Sequence, residues 1–518
     1  MGDSRRWSLW QRIKRLERWM LLAALAALLL GTNHRFTVQE DEVLILRNAL
    51  QPGGAILGRF LDASGQHAHP PLSDLLLHAW LGVVDPSPWM MRLPSIVFYV
   101  LGLACCAATA DVLGSPRSGT LLCWLGLFWP FGFHFGWLFG WFAFAFLLVA
   151  AMTLVYVRLD REPTLLGWAL LSTLGVALVW TNYYGWIVLG LFVLDALSRH
   201  GFRDRRRVLG LITLVVTALL AFMPLLPAML QAVQSRVVGG RSLFSKLAYG
   251  GWNLFALFLS EAVAPWALAL SLPGAAAIGV VLLLVIASRD RTVYRLGLGF
   301  GVLFTGLAVL GLLGTKRALF ITPWFLLTLV LALERQSISR RRTFAGALGT
   351  IAVIGWFATL DRRFYATLRL HEPWETVAGR AADETRQGHA VAAYHPVFFY
   401  YVTRALAPDA LKPAAKPRGL LGEQLSFPGL LNAGATTAPE LPKHGQLTFI
   451  RSSGFAERQE RAELLEKAVA AACEQIGVQG FMKDPMSELK LRFGEDRGHR
   501  PWRIEEVRYD CRRQEAVR

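Results

Sequence analysis

The chain has 518 residues, a formal net charge of +17 and a hydrophobic content of 54%, whereas only 18% of its residues are charged. A soluble protein of this length carries about a quarter charged residues, so the composition excludes an ordinary soluble enzyme. The high hydrophobicity also excludes a disordered chain. The arginines stand in short clusters between apolar runs, which indicates a polytopic membrane protein rather than a nucleic-acid-binding one.

Apolar runs recur along the first 360 residues, and about eleven spans are predicted from the ~20 residues that one crossing needs. The first span starts near Trp19, after a basic stretch, and no small-residue cleavage site follows it. It is therefore interpreted as an uncleaved anchor with a cytoplasmic N-terminus. The further spans are predicted at residues 92–113, 119–135, 137–157, 164–181, 184–198, 207–227, 266–287, 293–314, 318–334 and 343–360.

The arginine clusters fall in alternate linkers between these spans, as the positive-inside rule requires. The opposite, extracytoplasmic face then receives the loops 32–91 and 228–265 and the tail after residue 360. The sequence thus predicts a multi-pass inner (plasma) membrane protein. Its transmembrane domain covers residues 1–360, and an extracytoplasmic domain covers residues 361–518.

The tail has the composition of a soluble domain. Apolar residues recur there at helical or alternating spacing, which predicts helices at 374–386 and 457–475 and strands at 390–394, 446–452 and 503–509. Together these elements predict a small α/β domain. Cys473 and Cys511 share this domain in an oxidising compartment, and the sequence leaves open whether they form a disulfide.

The first outer loop carries three consecutive carboxylates, Glu40, Asp41 and Glu42. Apolar residues follow at helical spacing, which predicts a helix lying on the bilayer surface. Desolvation at such an interface raises the pKa of a carboxylate toward that of a useful general base. An acidic helix cap, favoured by the helix dipole, is the competing interpretation.

Two further motifs follow the acidic triplet. His69-Pro70-Pro71-Leu72 begins a second short apolar helix, and Arg92-Leu93-Pro94-Ser95 opens the next span. An arginine at that depth is costly unless it pairs with a carboxylate or a phosphate. The alternative is a side chain that reaches out to the membrane interface.

In this order, the motifs resemble the protein O-mannosyltransferase and aminoarabinose-transferase superfamily, similar to glycosyltransferase family 39. The resemblance continues through Asn182-Tyr183-Tyr184-Gly185, Lys316-Arg317-Ala318-Leu319-Phe320 and Glu372-Pro373-Trp374-Glu375. It implies the GT-C fold and a membrane glycosyltransferase that takes a sugar from a polyprenyl-phosphate carrier. Many bacterial relatives carry a Gln-Glu-Ala-Arg-type motif where residues 131–137 of this chain have no charge, which leaves the donor sugar and the acceptor open.

The resemblance also implies an inverting mechanism. Asp41 corresponds to the base that takes the proton of an acceptor hydroxyl, and Glu42 to the neighbour that tunes or orients it, although the triplet leaves a one-residue register open. Arg92 is the expected ligand of the donor phosphate. Lys316 and Arg317 are further phosphate ligands or interface anchors. The other expected substrate contacts are Glu40, His69, Tyr183 and Tyr184.

No cofactor is implied. The histidines of the first loop, His34, His67, His69 and His78, form no recognised metal-ligand spacing, although some GT-C enzymes use a divalent ion. The aromatic residues from Trp129 to Trp141 are interpreted as an interface belt or as a groove for the isoprenoid chain. The expected partners are a polyprenyl-phosphate sugar, a lipid, glycan or protein acceptor, and membrane lipids, but no nucleic acid.

Two other functions stay open. A transporter or flippase of a lipid-linked substrate would place charged residues at the bilayer midplane, often in two related halves, and this sequence shows no such halves. An assembly protein would use the tail to bind a partner. Replacing Asp41 by Asn would abolish the activity of a transferase but leave an assembly protein unaffected.

Overall fold

The computed structural model describes residues 2–61, 69–202, 204–237, 242–260, 268–360, 372–413, 429–433, 445–452, 456–483 and 502–511. The helices are α1 (Gly2–Thr32), α2 (Glu40–Ala49), α3 (Gly53–Leu61), α4 (Leu72–Leu81), α5 (Pro88–Leu113), α6 (Pro116–Phe128), α7 (Pro130–Phe135), α8 (Trp141–Arg161), α9 (Leu165–Thr181), α10 (Gly185–His200), α11 (Arg205–Phe222), α12 (Leu226–Val237), α13 (Leu243–Leu259), α14 (Leu268–Ser288), α15 (Arg291–Val309), α16 (Thr322–Glu334), α17 (Ile338–Leu360), α18 (Trp374–Arg386), α19 (Pro396–Leu406) and α20 (Ala456–Ala472). The strands are β1 (Ala390–Ala393), β2 (Leu430–Asn432), β3 (Gln446–Ser452), β4 (Glu474–Lys483) and β5 (Trp502–Asp510).

The chain divides into two compact units. The helical unit comprises Met1–His34, Gly53–Leu77 and Ser87–Ala366. The mixed unit comprises Arg35–Pro52, His78–Pro86 and Thr367–Arg518. Two stretches of the first predicted loop therefore belong to the same unit as the tail. The predicted boundary between residues 360 and 361 stays a prediction.

Six helices of the described residues are long and apolar enough to cross a membrane, which supports a polytopic membrane protein. They are Leu16–Arg35, Pro88–Leu113, Trp141–Arg161, Arg205–Gln231, Arg291–Val309 and Lys316–Glu334. Shorter apolar helices occupy Leu72–Leu81, Leu165–Thr181 and Leu272–Ser288. The larger number of about eleven spans stays a prediction.

The predicted span over 119–135 is broken in the structure. Helix α6 ends at Phe128 and α7 begins at Pro130, with Trp129 in an extended conformation at φ −84° and ψ 108°. Proline has no N–H to donate, and the residue before a proline avoids the helical region. The break turns the short helix α7 into the interior of the helical unit.

This turn buries the aromatic residues that were interpreted as an interface belt. All of them are 4% exposed or less, and they are Trp129, Phe131, Phe133, Phe135, Trp137, Phe139 and Trp141. The interface-belt interpretation is therefore wrong, because a belt requires side chains at the membrane surface. Two glycines allow the close packing. A Cβ on Gly132 or Gly136 would collide with the ring of Tyr99 on α5.

The mixed unit contains the predicted α/β fold. Its sheet has the order β2-β1-β3-β5-β4, with β1 parallel to β2 and β3, and with β5 antiparallel to β3 and β4. The predicted helix 374–386 and strand 446–452 are confirmed with these bounds. The predicted helix 457–475 ends earlier, at Ala472, because β4 begins at Glu474. Helix α19 and strands β2 and β4 were not predicted.

Cys473 and Cys511 form a disulfide in the mixed unit. Cys473 precedes β4 and Cys511 follows β5, and the ends of these strands pair through Glu474 and Asp510. The bond closes a loop with a sequence separation of 38 residues. This observation answers the question that the sequence left open.

The disulfide should contribute substantially to the stability of the mixed unit. Cross-linking two positions this far apart restricts the unfolded chain by about 4 kcal/mol. We expect the double variant Cys473→Ala/Cys511→Ala to unfold at a clearly lower temperature, measured by scanning fluorimetry in detergent. Cys105→Ala, which removes a free thiol of the helical unit, is the control. Equal unfolding temperatures for the double variant and wild type would contradict this account.

Candidate functional site

The acidic triplet forms the first turn of α2 in the mixed unit. Glu42 is fully buried, and its carboxylate accepts a hydrogen bond from the backbone N–H of Gln39 at 2.8 Å. A carboxylate at this position satisfies an N–H that the helix itself leaves unpaired. Glu40 and Asp41 are half-buried. Glu42 therefore orients the helix start, whereas part of the Asp41 side chain reaches solvent.

A hydrogen bond links the start of helix α2 to α19 of the tail. The backbone N–H of Val38, just before α2, donates to the hydroxyl of Tyr401 at 3.1 Å. Val43 and Leu46 of α2 are fully buried. At the other end of α2, the carbonyl of Ala49 lies 2.8 Å from Nδ1 of His78. Both ends of the acidic helix are thus held inside one unit.

The Glu372-Pro373-Trp374 motif makes a second connection of the same kind. The Thr37 hydroxyl donates to the backbone carbonyl of Glu372 at 2.6 Å. The Glu372 carboxylate accepts the indole N–H of Trp374, and the Trp374 ring stacks on His395 with centroids 4.6 Å apart. This motif therefore joins the first loop to the tail domain.

Arg92 lies on α5 in the helical unit and is fully buried. Its Nη1 donates to the backbone carbonyl of Asn33 at 2.6 Å, and its guanidinium carbon lies 4.2 Å from the ring centroid of Trp137. This is a cation–π arrangement. The Arg92 side chain does not extend to the membrane interface, because a snorkelling arginine exposes its charged end and Arg92 is fully buried.

Asn33 adds an unusual polar group beside Arg92. Its side chain is fully buried, and neither Oδ1 nor Nδ2 has a hydrogen-bond partner among the described residues. Buried polar atoms are nearly always paired with protein, water or ligand. The residue whose carbonyl accepts from Arg92 thus also carries a buried carboxamide, which a polar ligand group would satisfy.

A chain of aromatic contacts joins three of the sequence motifs in the helical unit. The His69 ring lies 4.6 Å from that of Trp141, and Trp141 lies 6.2 Å from Phe320. Phe320 in turn stacks with Tyr184 at 6.1 Å. Residues that are widely separated in sequence thus line one region, while Tyr183 packs against Phe222 instead.

Lys316 and Arg317 begin the 3-10 turn Lys316–Ile321, which carries Phe320. Both side chains are half-buried, and Arg317 Nη1 donates to the carbonyl of Leu312 at 3.4 Å. Lys246 of the second predicted loop packs against Gly311, because a Cβ added to this glycine would lie 3.2 Å from the Cε atom of Lys246. Two consecutive cations therefore begin this turn, and the side chain of Lys246 packs at Gly311, five residues before it. Arg236 and Arg241 lie outside the described side chains.

Sequence reasoning missed Asn33 and Trp137. Asn33 offers no signal except its place directly after the first span. Trp137 was grouped with the other aromatic residues, and its contact with Arg92 of α5 joins residues that are 45 positions apart. Among the described residues, no group of three or more His, Cys, Asp or Glu side chains is placed to hold a metal ion.

Asp74 is a third residue that the sequence did not single out. It lies on α4, two residues after Leu72 of the His-Pro-Pro-Leu motif, and it is buried. Burial raises the pKa of this carboxyl from 3.8 to about 7, and the positive charge of Arg59 offsets part of that rise. The folded protein thus keeps a proton here that the unfolded chain would release.

Stability should consequently fall as the pH rises. The contribution of the Asp74 proton is fully present below pH 3.8 and is lost as the pH passes about 7. The difference amounts to about 4 kcal/mol at most. We expect the unfolding temperature of wild type to decline between about pH 4 and pH 7. Asp74→Asn should remove much of that decline, whereas Asp383→Asn at an exposed position should not. Identical slopes for wild type and Asp74→Asn would contradict the prediction.

Comparison with known proteins gives matches only at the level of structure. No protein-family model matches the sequence, and neither does any curated protein. The crystal structure of ArnT from Cupriavidus metallidurans in the apo state aligns over 94% of this chain and 97% of that chain, with a TM-score of 0.54 and 11% identity. ArnT bound to undecaprenyl phosphate aligns over the same shares, with a TM-score of 0.51 and 12% identity. The oligosaccharyltransferase AglB from Archaeoglobus fulgidus is more distant, with a TM-score of 0.44 and 11% identity over 79% of this chain and 65% of that chain.

The likeness to ArnT extends over nearly the whole of both chains. The protein therefore has the fold of the GT-C membrane glycosyltransferases, and the fold that the sequence motifs implied is confirmed. At this level of identity the likeness establishes the fold but not the activity or the roles of individual residues.

Proposed function

We propose that this protein is a membrane glycosyltransferase that moves a sugar from a polyprenyl-phosphate carrier to an acceptor hydroxyl or phosphate at the extracytoplasmic face. The observation that carries the proposal is the buried Arg92 between Trp137 and the Asn33 carbonyl. A buried cation of this kind suits a phosphate that gains negative charge as it leaves. The fold agrees with this assignment, since ArnT has been crystallised with undecaprenyl phosphate.

In the proposed reaction the acceptor oxygen attacks the anomeric carbon while Asp41 takes the acceptor proton. The bond between that carbon and the phosphate oxygen breaks, its electron pair leaves with polyprenyl phosphate, and the configuration inverts. Glu42 holds the start of α2 and so orients Asp41, and Glu40 is proposed to contact the acceptor. Arg92, with Lys316 and Arg317, stabilises the departing phosphate.

His69, Tyr183 and Tyr184 are proposed to contact the sugar or the carrier. His69 and Tyr184 belong to the aromatic chain through Trp141 and Phe320, and aromatic faces suit both sugar rings and isoprenoid chains. The buried aromatic residues of α7 favour a carrier groove over a surface belt. Membrane lipids surround the helices, the N-terminus is proposed to be cytoplasmic, and no cofactor is required in this scheme.

A transferase and a flippase differ in one chemical outcome. Purified protein is reconstituted into liposomes with a polyprenyl-phosphate sugar that is labelled in both the sugar and the lipid. The transferase should separate the two labels when the acceptor is present, whereas a flippase would move the intact lipid across the bilayer. Translocation without label separation would replace the proposal by the transporter alternative.

The hydroxyl of Tyr401 should matter for activity although it is remote in sequence from the acidic triplet. Tyr401→Phe leaves the buried N–H of Val38 without its acceptor, a change that costs about 1–3 kcal/mol. We expect a lower kcat with an unchanged KM for the donor, measured by product release, because α2 loses one of its fixed ends. Tyr249→Phe, in the helical unit, is the control. A kcat equal to that of wild type would show that this hydrogen bond does not position the base.

A further inference from the structure

A cavity of about 380 Å³ lies among α8, α10, α15 and α16 in the helical unit, and its lining residues do not include Arg92 or the members of the aromatic chain. This volume falls within the ~300–1,000 Å³ of typical ligand sites. Its body is apolar, with Phe192, Leu296 and Trp324 in the wall. Gly299 helps to keep it open, since the Cβ of a larger residue would lie 3.4 Å from the Trp324 ring.

One end of the cavity is polar. Asp195, Ser198, Thr292 and Arg295 line it there. The Nε and Nη2 atoms of Arg295 donate to the two oxygens of Asp195 at 2.8 and 2.9 Å. Arg199 and Tyr156 also donate to Asp195.

The group at this end that can still form hydrogen bonds is a positively charged donor, which favours an anion as the ligand. Asp195 already accepts four hydrogen bonds, whereas Nη1 of Arg295 makes none among the described residues and the Arg295 side chain is 40% exposed. The surrounding helix ends carry further exposed arginines, namely Arg158, Arg161, Arg205, Arg206, Arg289 and Arg291. A negatively charged group is the complementary partner for such a surface.

The sides of the cavity open between apolar residues. Leu194 is 63% exposed and Leu298 is 67% exposed, and both line the opening. In a helix that crosses a membrane, such side chains face lipid tails rather than water. An occupant with one anionic end and an apolar body satisfies both parts of the cavity.

We propose that this cavity binds one anionic glycerophospholipid, with its phosphate against Arg295 and an acyl chain along Leu298, Val302 and Trp324. Basic pockets between membrane helices are known places for anionic headgroups. The site is separate from the proposed donor site and does not depend on the glycosyltransferase assignment. The positive-inside rule places it at the cytoplasmic leaflet.

The test is native mass spectrometry of delipidated protein in detergent, titrated with dioleoyl phosphatidylglycerol or dioleoyl phosphatidylcholine. We expect one saturable phosphatidylglycerol, bound about fivefold or more tightly than phosphatidylcholine, since one arginine near a lipid phosphate supplies about 1 kcal/mol. Arg295→Gln should reduce this preference to less than twofold. Gly299→Leu should abolish the saturable binding, and Leu282→Trp, on the exposed face of α14, should preserve it.

Several results would overturn the proposal. Equal binding of both lipids, or unchanged binding in Gly299→Leu, would exclude an anionic lipid in this cavity. Displacement by glycerol 1-phosphate at equal concentration would show a free-anion site, and preferential uptake of polyprenyl phosphate would assign the cavity to the carrier. If Gly299→Leu does not fold, Val302→Trp at the cavity opening takes its place with the same expected loss.

Discussion

Asp41→Asn is expected to reduce the transfer rate by about 10²–10⁴-fold while the donor still binds, because a general base contributes this much to a reaction that needs proton transfer. The amide has nearly the shape of the carboxylate but cannot accept the proton. Asp41 is half-buried on the first turn of α2, so the substitution should not disturb the helix. The rate is measured as polyprenyl phosphate released per protein molecule under single-turnover conditions.

The neighbouring carboxylates provide matched controls. Glu40→Gln removes a charge from the same helical turn and should lower the rate far less than Asp41→Asn. Glu42→Ala should act mainly on stability, because it removes the oxygen that accepts the Gln39 N–H. If Glu40→Gln shows the large loss and Asp41→Asn does not, the base is one residue earlier and the assignment of Asp41 is wrong.

Arg92→Met is expected to weaken donor binding by about 10- to 100-fold, since a hydrogen bond to a charged group contributes about 1.5–3 kcal/mol. Methionine fills much of the same volume beside Trp137 but offers no donor to a phosphate. The KM for the donor and the equilibrium binding of polyprenyl phosphate should change together. The measurement is a titration in nanodiscs with both ligands.

A purely structural arginine would give a different pattern. In that case the folded fraction of Arg92→Met would fall, but the folded molecules would keep the KM of wild type. Arg92→Lys should recover part of the binding, because the charge stays while the planar fork is lost. Arg158→Met removes an exposed arginine of α8 and should leave donor binding unchanged.

Local chemistry explains what could be predicted from the sequence. Long apolar runs and arginine placement indicated the membrane helices, and the spacing of apolar residues located α18 and β3 with their observed bounds. The ordered motifs indicated the GT-C fold. These features depend on neighbouring residues, which the sequence displays directly.

Features that depend on distant residues were missed. The contact of Trp137 with Arg92 joins two separate elements, and the hydrogen bond from Val38 to Tyr401 joins residues 363 positions apart. Helix α19 was overlooked although it anchors the acidic helix. Strand β4 was missed as well, because its pairing with β5 decides its structure. Local periodicity does not predict contacts between residues that are far apart in sequence.

The placement of the acidic helix has a consequence for the tail domain. The stretches 35–52 and 78–86 form one compact unit with the tail, so the tail holds the proposed base from within its own unit. The contacts of Thr37 with Glu372 and of Val38 with Tyr401 support a scaffold role for the tail.

The most direct test of the central claim is a bond-cleavage measurement on purified protein in nanodiscs. A panel of polyprenyl-phosphate monosaccharides is offered with hydroxyl and phosphate acceptors, and mass spectrometry follows free polyprenyl phosphate. The account predicts that wild type releases polyprenyl phosphate from at least one donor, and that Asp41→Asn binds this donor without releasing it. Failure of wild type both to bind and to cleave any donor of the panel would contradict the glycosyltransferase assignment.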